Sequence, residues 1–512
     1  MDKPYFLALD YGTQSVRAII FDKNGNIHTK VQSKVEPFIA NSNGAAEQLP
    51  EYCYQQLVNV IKQLLLETEI LPKQIACLSI TTQRACTLLL DKKQQPISPL
   101  YMWSDTRLAT QENLKPMSWY FQFTFRVIGF HDRIKFLRQT AKVNYLAEHQ
   151  GELLKSADKV VLLSGFLLSR ITGKLTDSVA SQVAYLPFEY KDLTWANKHS
   201  WRWQALECTF NQMMPLTPAA KLVGDVSEQF AKETGLDVQT KVATAGADKA
   251  CEMFATGSGE EGVANISLGS AASISIGLET YQETIRFMPS FPSLAEGQYM
   301  NEIQLERGFW LLTWLIEQFG DEDVRKAAEL NVGVEEYICS KIQEIEPGCS
   351  GLLLSPTWSQ GVIFPGPEAR GSIIGFTPKH TRYHLYRAAI EGILFTLKAA
   401  LMRLEKKHKY PVQLVRISGG GSQSEQVLQM AADILEKPVE VITTPEASAL
   451  GAAMCSAVAT KCYPDLFSAR KVMMKVSKRY LPQSEHNKTY QCLFRSHAKI
   501  YNNLKSIFKT LS

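Results

Sequence analysis

Ten cysteines lie between Cys53 and Cys492 with no C-x-x-C pair and no regular spacing. The chain therefore lacks a disulfide framework, and reduced thiols in a cytoplasmic protein are expected. The nine histidines contain no H-E-x-x-H motif, which leaves a chain-built zinc or iron site without support, so a metal is expected to arrive with a nucleotide. An excess of one charge is missing too. Fifty-five basic residues stand against 51 acidic ones, a net charge of +4, too even a balance for nucleic acid or an anionic membrane as the main partner. There is no uninterrupted apolar run of about 18 residues to read as a membrane-crossing helix. The opening Met1-Asp2-Lys3-Pro4 lacks the cationic and apolar stretches that mark a chain for export. No period of about 20–50 residues recurs, so a solenoid or propeller is excluded.

What is present is globular in composition. Hydrophobic residues make up 45% and charged residues 21%, which provides for a large core and leaves no room for an extensive disordered tract. At 512 residues the chain exceeds what one core covers, and two domains of similar size with a ligand cleft between them are expected.

Along the chain, residues 6–22 read as strand, tight turn, strand, and Asn24-Gly25 turns the chain into a third strand at 27–35. Residues 51–68 have helical spacing and residues 75–82 return to a strand, the order of an α/β domain. The stretch 117–173 is patterned as helices and is expected to form a cap, with Pro215 and Pro218 marking a loop after it. A second α/β round begins near Val242, with a strand pair over 264–278, helical patches at 309–319 and 382–407, a strand at 414–418 and a helix from Ser424. The basic tail from Lys471 to Lys509 reads as a solvated helical face.

Certain small segments carry chemistry. In Asp10-Tyr11-Gly12-Thr13-Gln14-Ser15 the glycine permits a tight turn whose N–H groups and hydroxyls can converge on phosphate oxygens, and Asp10 at the strand end can hold a Mg²⁺ ion. An ordinary hairpin explains the same pattern. A second turn of the same kind occurs at Gly269-Ser270, and a third glycine cluster, Gly419-Gly420-Gly421, lies between a strand and a helix, where bare backbone can approach a ring or a phosphate. Asp248, after the small residues Gly246 and Ala247, can accept a proton from an attacking hydroxyl or can simply cap the helix that follows. Gln83-Arg84 and Trp103-Ser104-Asp105 offer donors and acceptors for a polyhydroxylated substrate, or surface ion pairs.

Taken in order, these segments resemble the FGGY carbohydrate kinases, the family of glycerol kinase and xylulokinase within the actin-like ATPase superfamily. The resemblance runs to about residue 465. It is carried by the segment from Asp10 to Ser15, Thr82-Gln83-Arg84, Trp103-Ser104-Asp105-Thr106-Arg107, Gly246-Ala247-Asp248-Lys249, Leu268-Gly269-Ser270-Ala271, the run from Pro367 to Thr377, the run from His380 to Ile393, and the segment from Ser418 to Ser424. It implies an α/β fold of two ribonuclease H-like domains with an interdomain cleft. Residues 1–245 would form the sugar-binding domain and residues 246–512 the nucleotide-binding domain. The implied activity is ATP-dependent phosphorylation of a small sugar, ketose or polyol, with ATP and Mg²⁺ as cofactors and no nucleic-acid or membrane partner.

By the same resemblance Asp248 is the catalytic base. Asp10 faces the metal, and Gly12, Thr13, Gln14 and Ser15 face phosphates with it. Gly269 and Ser270 meet the γ-phosphate. Gly308 is a further glycine on the nucleotide side, and Gly420, Gly421 and Ser424 border the adenosine. Gln83, Arg84, Asp105, Asp248 and Lys249 stand on the acceptor side. Glycerol kinases carry Gln-Arg-Glu where this chain has Gln83-Arg84-Ala85, and xylulokinases Gln-Met-His-Gly. An unusual sugar-derived acceptor is therefore the alternative within the enzyme class, and a non-catalytic nucleotide-binding regulator is the alternative outside it. The family includes dimers and tetramers, which leaves a homo-oligomer open.

Overall fold

Residues 5–11 and 15–22 are rich in Leu, Ile, Val and aromatic side chains, which favour a pleated and largely buried backbone. The computed structural model, which describes residues 4–511 apart from 37–38, 41–43, 111, 113 and 360–364, pairs them as antiparallel strands β1 (Tyr5–Tyr11) and β2 (Ser15–Asp22). The hairpin at Asn24-Gly25 leads into β3 (Ile27–Lys34), as its turn chemistry demands. Helix α1 (Pro50–Glu67) buries Cys53, Leu57, Ile61 and Leu64, one side of an amphipathic helix. Each such Leu or Ile contributes about 1.5–3 kcal/mol by leaving water. β4 (Ile75–Thr82) follows and pairs parallel to β1.

The chain divides into two units. The first comprises Met1–Ala255, Leu278–Met300 and Glu446–Met474. Its main sheet is completed by β5 (Leu222–Asp225) and β6 (Lys241–Ala247), in the order β5-β6-β4-β1-β2-β3. β6 is parallel to β4, and β5 is antiparallel to β6. β6 runs straight into α2 (Asp248–Ala255). Against α2 and the sheet lies the helix Ala447–Ala459, whose buried Ala449, Gly451, Ala452 and Ala453 permit close approach. The stretch expected to be helical contains helices Trp119–Val127, His131–Thr140, Lys142–His149, Gly151–Ser156 and Leu163–Thr172, most of them around a core of Phe125, Phe130, Ile134, Leu146 and Leu154.

The second unit comprises Thr256–Gly277, Asn301–Pro445 and Lys475–Ser512. Its elements include β7 (Val263–Leu268), β8 (Ala272–Leu278), α3 (Trp310–Phe319), α4 (Arg382–His408), β9 (Leu414–Ser418), α5 (Glu425–Leu435), β10 (Val439–Ile442), β11 (Val476–Tyr480) and α6 (Ser484–Thr510). Five strands run in the order β8-β7-β9-β10-β11, with pairings antiparallel, parallel, parallel and antiparallel. The first unit has the same succession along β2-β1-β4-β6-β5.

One expectation needs correction. The basic tail is not merely a solvated face. It holds edge strand β11 and helix α6, and Tyr490, His497, Ile500, Tyr501 and Phe508 of α6 are buried. Their spacing of three, four and seven residues is a helical stripe that the many lysines obscured. His380 and His384 stand four apart at the head of α4, their rings 5.3 Å apart. Each uses its Nδ1 to accept an N–H of the turn before it, from Thr377 and Thr381. Among the described residues no group of three or more metal-binding side chains occurs, no helix is long and apolar enough to cross a membrane, and all ten cysteines are free.

Candidate functional site

In the first unit the neighbouring strands β1, β4 and β6 are parallel, so their carboxyl ends share one edge of the sheet, the edge where open α/β sheets bind ligands. Register ties these ends together. Tyr11 is the partner of Thr82, and Thr82 of Ala247. Gln83 donates its N–H to the Tyr11 carbonyl at 3.0 Å, and Thr81 Oγ1 donates to the Gly246 carbonyl at 2.8 Å. The residues that leave this edge are Gly12 and Thr13 from β1, Gln83 and Arg84 from β4, and Asp248 from β6.

The turn after β1 is closed by a bond from Gly12 N–H to the Ser15 carbonyl, 3.0 Å, while the Gln14 carbonyl accepts the N–H of Val35. Thr13 Oγ1 donates to Gln83 Oε1 at 2.9 Å and accepts from Trp103 Nε1 at 3.0 Å. These bonds bring together three segments singled out in the sequence. Ala85, with φ 58°, holds the turn after Gln83 and Arg84 in a region that costs a non-glycine residue about 1–3 kcal/mol. The Arg84 guanidinium lies over the Phe291 ring, 5.7 Å from its centroid.

Asp248 opens α2, and its Oδ1 accepts the N–H of Lys249 at 2.7 Å. The proton-acceptor and helix-start readings of this residue are thus compatible. Burial pushes its carboxyl above the ordinary range, Arg84 and Lys249 oppose that rise, and Glu252 adds to it. The Lys249 ammonium pairs with Glu252 Oε2 at 2.6 Å. Asp10 is buried and pushed up to about 6, chiefly by desolvation; Arg17 lowers it, while Asp248 and Glu446 raise it. Arg17 Nη1 donates to Asp10 Oδ2 at 2.9 Å.

Asp105 has a different setting. Its side chain has no exposed surface. Oδ2 accepts from Arg107 Nη2 at 2.6 Å and from the Ala46 N–H at 3.0 Å, and Oδ1 accepts from Lys142 Nζ at 3.0 Å. Burial opposes ionisation, yet the Arg107 bonds, the Ala46 N–H and Lys142 hold the carboxyl below its usual range. Asp105 therefore anchors the segment that carries Trp103, and its carboxylate oxygens are occupied by these partners.

In the second unit the turn between β7 and β8 exposes the Ser270 side chain. The carbonyls of Gly269 and Ser270 accept N–H groups of Phe309 (2.9 Å) and Gly308 (2.8 Å), so the chain leading into α3 buttresses the hairpin. Gly308 is buried there. After β9, Gly419 adopts φ +87° and a Cβ on it would lie 2.8 Å from the Leu268 carbonyl, which demands glycine. A Cβ on Gly420 meets nothing within 4 Å, and Gly420 is exposed. Gly421 is buried; Ser422 Oγ donates to the Gly419 carbonyl at 2.7 Å. Ser424 caps α5 through the Val427 N–H. Beside this turn opens a cavity of about 200 Å³ lined by Ser418, Ser422, Thr443, Thr444 and Lys478 among others.

Sequence reading missed Arg17, Lys142 and Glu446. Arg17 was accessible, because a residue that follows a hairpin turn lies opposite the one that precedes it, and the register makes it the partner of Asp10. Lys142 reaches Asp105 across 37 residues of sequence and Glu446 reaches Lys30 across 416, and no local pattern announces them.

Comparison with known proteins gives concordant findings. Residues 5–255 match the model of the FGGY family of carbohydrate kinases, N-terminal domain, and residues 264–460 that of its C-terminal domain. A gluconokinase of Bacillus subtilis (strain 168) is 23% identical over 498 residues, which cover 96% of this chain and 94% of that protein. A xylulose kinase of the same organism is 25% identical over 507 residues, 98% of each. The crystal structure of gluconate kinase from Lactobacillus acidophilus superposes with a TM-score of 0.83 at 21% identity, covering 99% of both chains, and so shares the fold.

Proposed function

The chain belongs to the FGGY family of carbohydrate kinases, ATP-dependent phosphotransferases that act on sugar hydroxyls, and from that membership we propose that it transfers the γ-phosphate of Mg·ATP to a hydroxyl of a ketose, a related sugar or a polyol, with Asp248 as general base. The observation that carries the reading is the setting of Asp248. It stands at the carboxyl end of a parallel strand, and burial raises its pKa while Arg84 and Lys249 lower it. A carboxylate whose pKa is raised above the ordinary range is a better acceptor for the proton that an attacking hydroxyl must lose.

Gln83, Arg84 and Lys249 make the contacts to the acceptor, and Asp105 acts on that side by fixing the Trp103 segment. Two cations beside Asp248 suit an acceptor that carries a carboxylate as well as a neutral one. The names of the two relatives make xylulose and gluconate the first acceptors to try. Ser270, with the turn N–H groups, binds the γ-phosphate, and the exposed backbone at Gly420 with buried Gly421 borders the adenosine. Gly308 and Ser424 hold these two turns in shape. Gly12, Thr13, Gln14 and Ser15 form the first unit's phosphate turn.

Asp10 fits a divalent cation, because a buried carboxylate whose pKa is raised by burial and by two like-charged neighbours gains from added positive charge. Mg²⁺, when bound with the nucleotide, offsets charge on the phosphate oxygens. The test is an ADP-release assay with Mg·ATP against ketoses, aldoses, sugar acids, polyols and glycerol, with a no-acceptor control. Stimulation by one compound establishes the acceptor. ADP release that never exceeds the control, in protein that binds ATP, refutes the reading for that panel.

A further inference from the structure

Asp10 is one end of a chain of charges. Arg17 Nη1 donates to its Oδ2 at 2.9 Å, Arg17 Nε faces Glu446 Oε2 at 3.5 Å as an ion pair without a hydrogen bond, and Glu446 Oε1 contacts Lys30 Nζ. Sheet register assembles most of it. Arg17 is the cross-strand partner of Asp10 and of Gln32, and Lys30, two residues from Gln32 along β3, shares the face of Arg17. Glu446 arrives from far along the sequence, as the residue immediately before the helix Ala447–Ala459. An acidic residue in that place usually turns its carboxylate to the free N–H groups of the first helical turn. Glu446 makes no such side-chain cap. Its side chain, 9% exposed, is directed instead to Arg17 and Lys30.

We propose that Glu446 is a positioning residue for phosphoryl transfer, attracting Arg17 by charge from its Nε side while Asp10 accepts from Nη1, and thereby fixing the Asp10 carboxylate for the divalent cation that accompanies the nucleotide. The proposal rests on the reading of Asp10 given above. An arginine set between two carboxylates, one hydrogen-bonded and one ion-paired, has less rotamer freedom to lose when the ligand arrives, which is the ordinary gain of a preorganised site. Lys30 offsets the charge of Glu446, so that the second carboxylate does not draw Arg17 away from the first.

Calorimetric titration of ADP, with Mg²⁺ and with EDTA, decides this independently of turnover. The proteins are the wild type, Glu446→Gln, Arg17→Met and the double variant. Glu446→Gln is expected to weaken Mg·ADP binding about tenfold, to leave Mg-free ADP within about twofold, and to add nothing in the Arg17→Met background. Glu446→Asp, which keeps the carboxylate on a shorter arm, is expected to fall between and serves if the glutamine variant does not fold. Wild-type Mg·ADP affinity in Glu446→Gln, an equal loss with and without Mg²⁺, or a full additive effect on Arg17→Met overturns the proposal. If no sugar stimulates ADP release while the binding cycle behaves as stated, the kinase reading fails and the coupling of Glu446 to Asp10 stands.

Discussion

In the first unit the hairpin β1–β2 has Asp10 opposite Arg17, two residues before the glycine of its turn. At the corresponding place in the second unit, hairpin β7–β8 has Ser267 opposite Ser273. The next parallel strand is followed by Gln83 and Arg84 in the first unit and by three glycines in the second. One succession of strand pairings therefore supports two kinds of edge, one supplying charged and amide side chains and the other hydroxyls and bare backbone. The lesson is that the pairings fix where an edge lies, while residues in the turns decide its chemistry.

The largest effect is expected from neutralising the first unit's edge. Asp248→Asn is expected to reduce sugar phosphorylation by about 10²–10⁴-fold with nucleotide affinity retained in a parallel titration. Turnover like the wild type would remove Asp248 from its role. Next in size is Asp105→Ala, which strands Arg107 and Lys142 without their shared carboxylate and is expected to cost about 3–5 kcal/mol in a denaturant titration. A loss confined to acceptor affinity, with unchanged stability, would show that the carboxylate serves substrate and not the Trp103 segment.

On the second unit's edge, Gly419→Ala forces a Cβ against the Leu268 carbonyl at a positive φ and is expected to lose about 1–3 kcal/mol of stability. Gly420→Ala, in open space, is expected to leave stability unchanged and to weaken nucleotide binding. Equal melting temperatures for the two variants would contradict the packing described. The smallest effect concerns pH. Asp177, in the first unit, is pushed up to about 6 by burial against bonds from Ser164, Gln182 and the Ser178 N–H. A raised carboxyl contributes stability that is fully present below its unfolded value and is lost as pH rises through about 6. Between pH 7.5 and pH 5 the wild type should therefore gain about 1 kcal/mol over Asp177→Asn, read from paired unfolding curves. A gap that is independent of pH would mean that the carboxyl titrates normally.

Much of the fold was legible in the sequence. β1, β2, β4, β7, β8 and β9 announce themselves as apolar runs punctuated by Gly, Asn and small polar residues, because a strand's side-chain period and a turn's dihedral demands are local. The first three strands, α1 and α4 fall within a residue or two of where their patterns put them. The amphipathic helix at the C-terminus was obscured by its charge, although its apolar stripe is regular.

The family, many of the central strands and helices α1 and α4 are written in short-range patterns and in motifs met in order. Only the tertiary structure decided that the segment Glu446–Met474 belongs with the first unit, that Asp105 is occupied by Arg107 and Lys142, and that Glu446 and Lys30 complete the charges around Asp10 and Arg17. The physical reason is that a buried charge takes its partner wherever packing brings one within a few ångströms, and that distance bears no relation to separation along the chain.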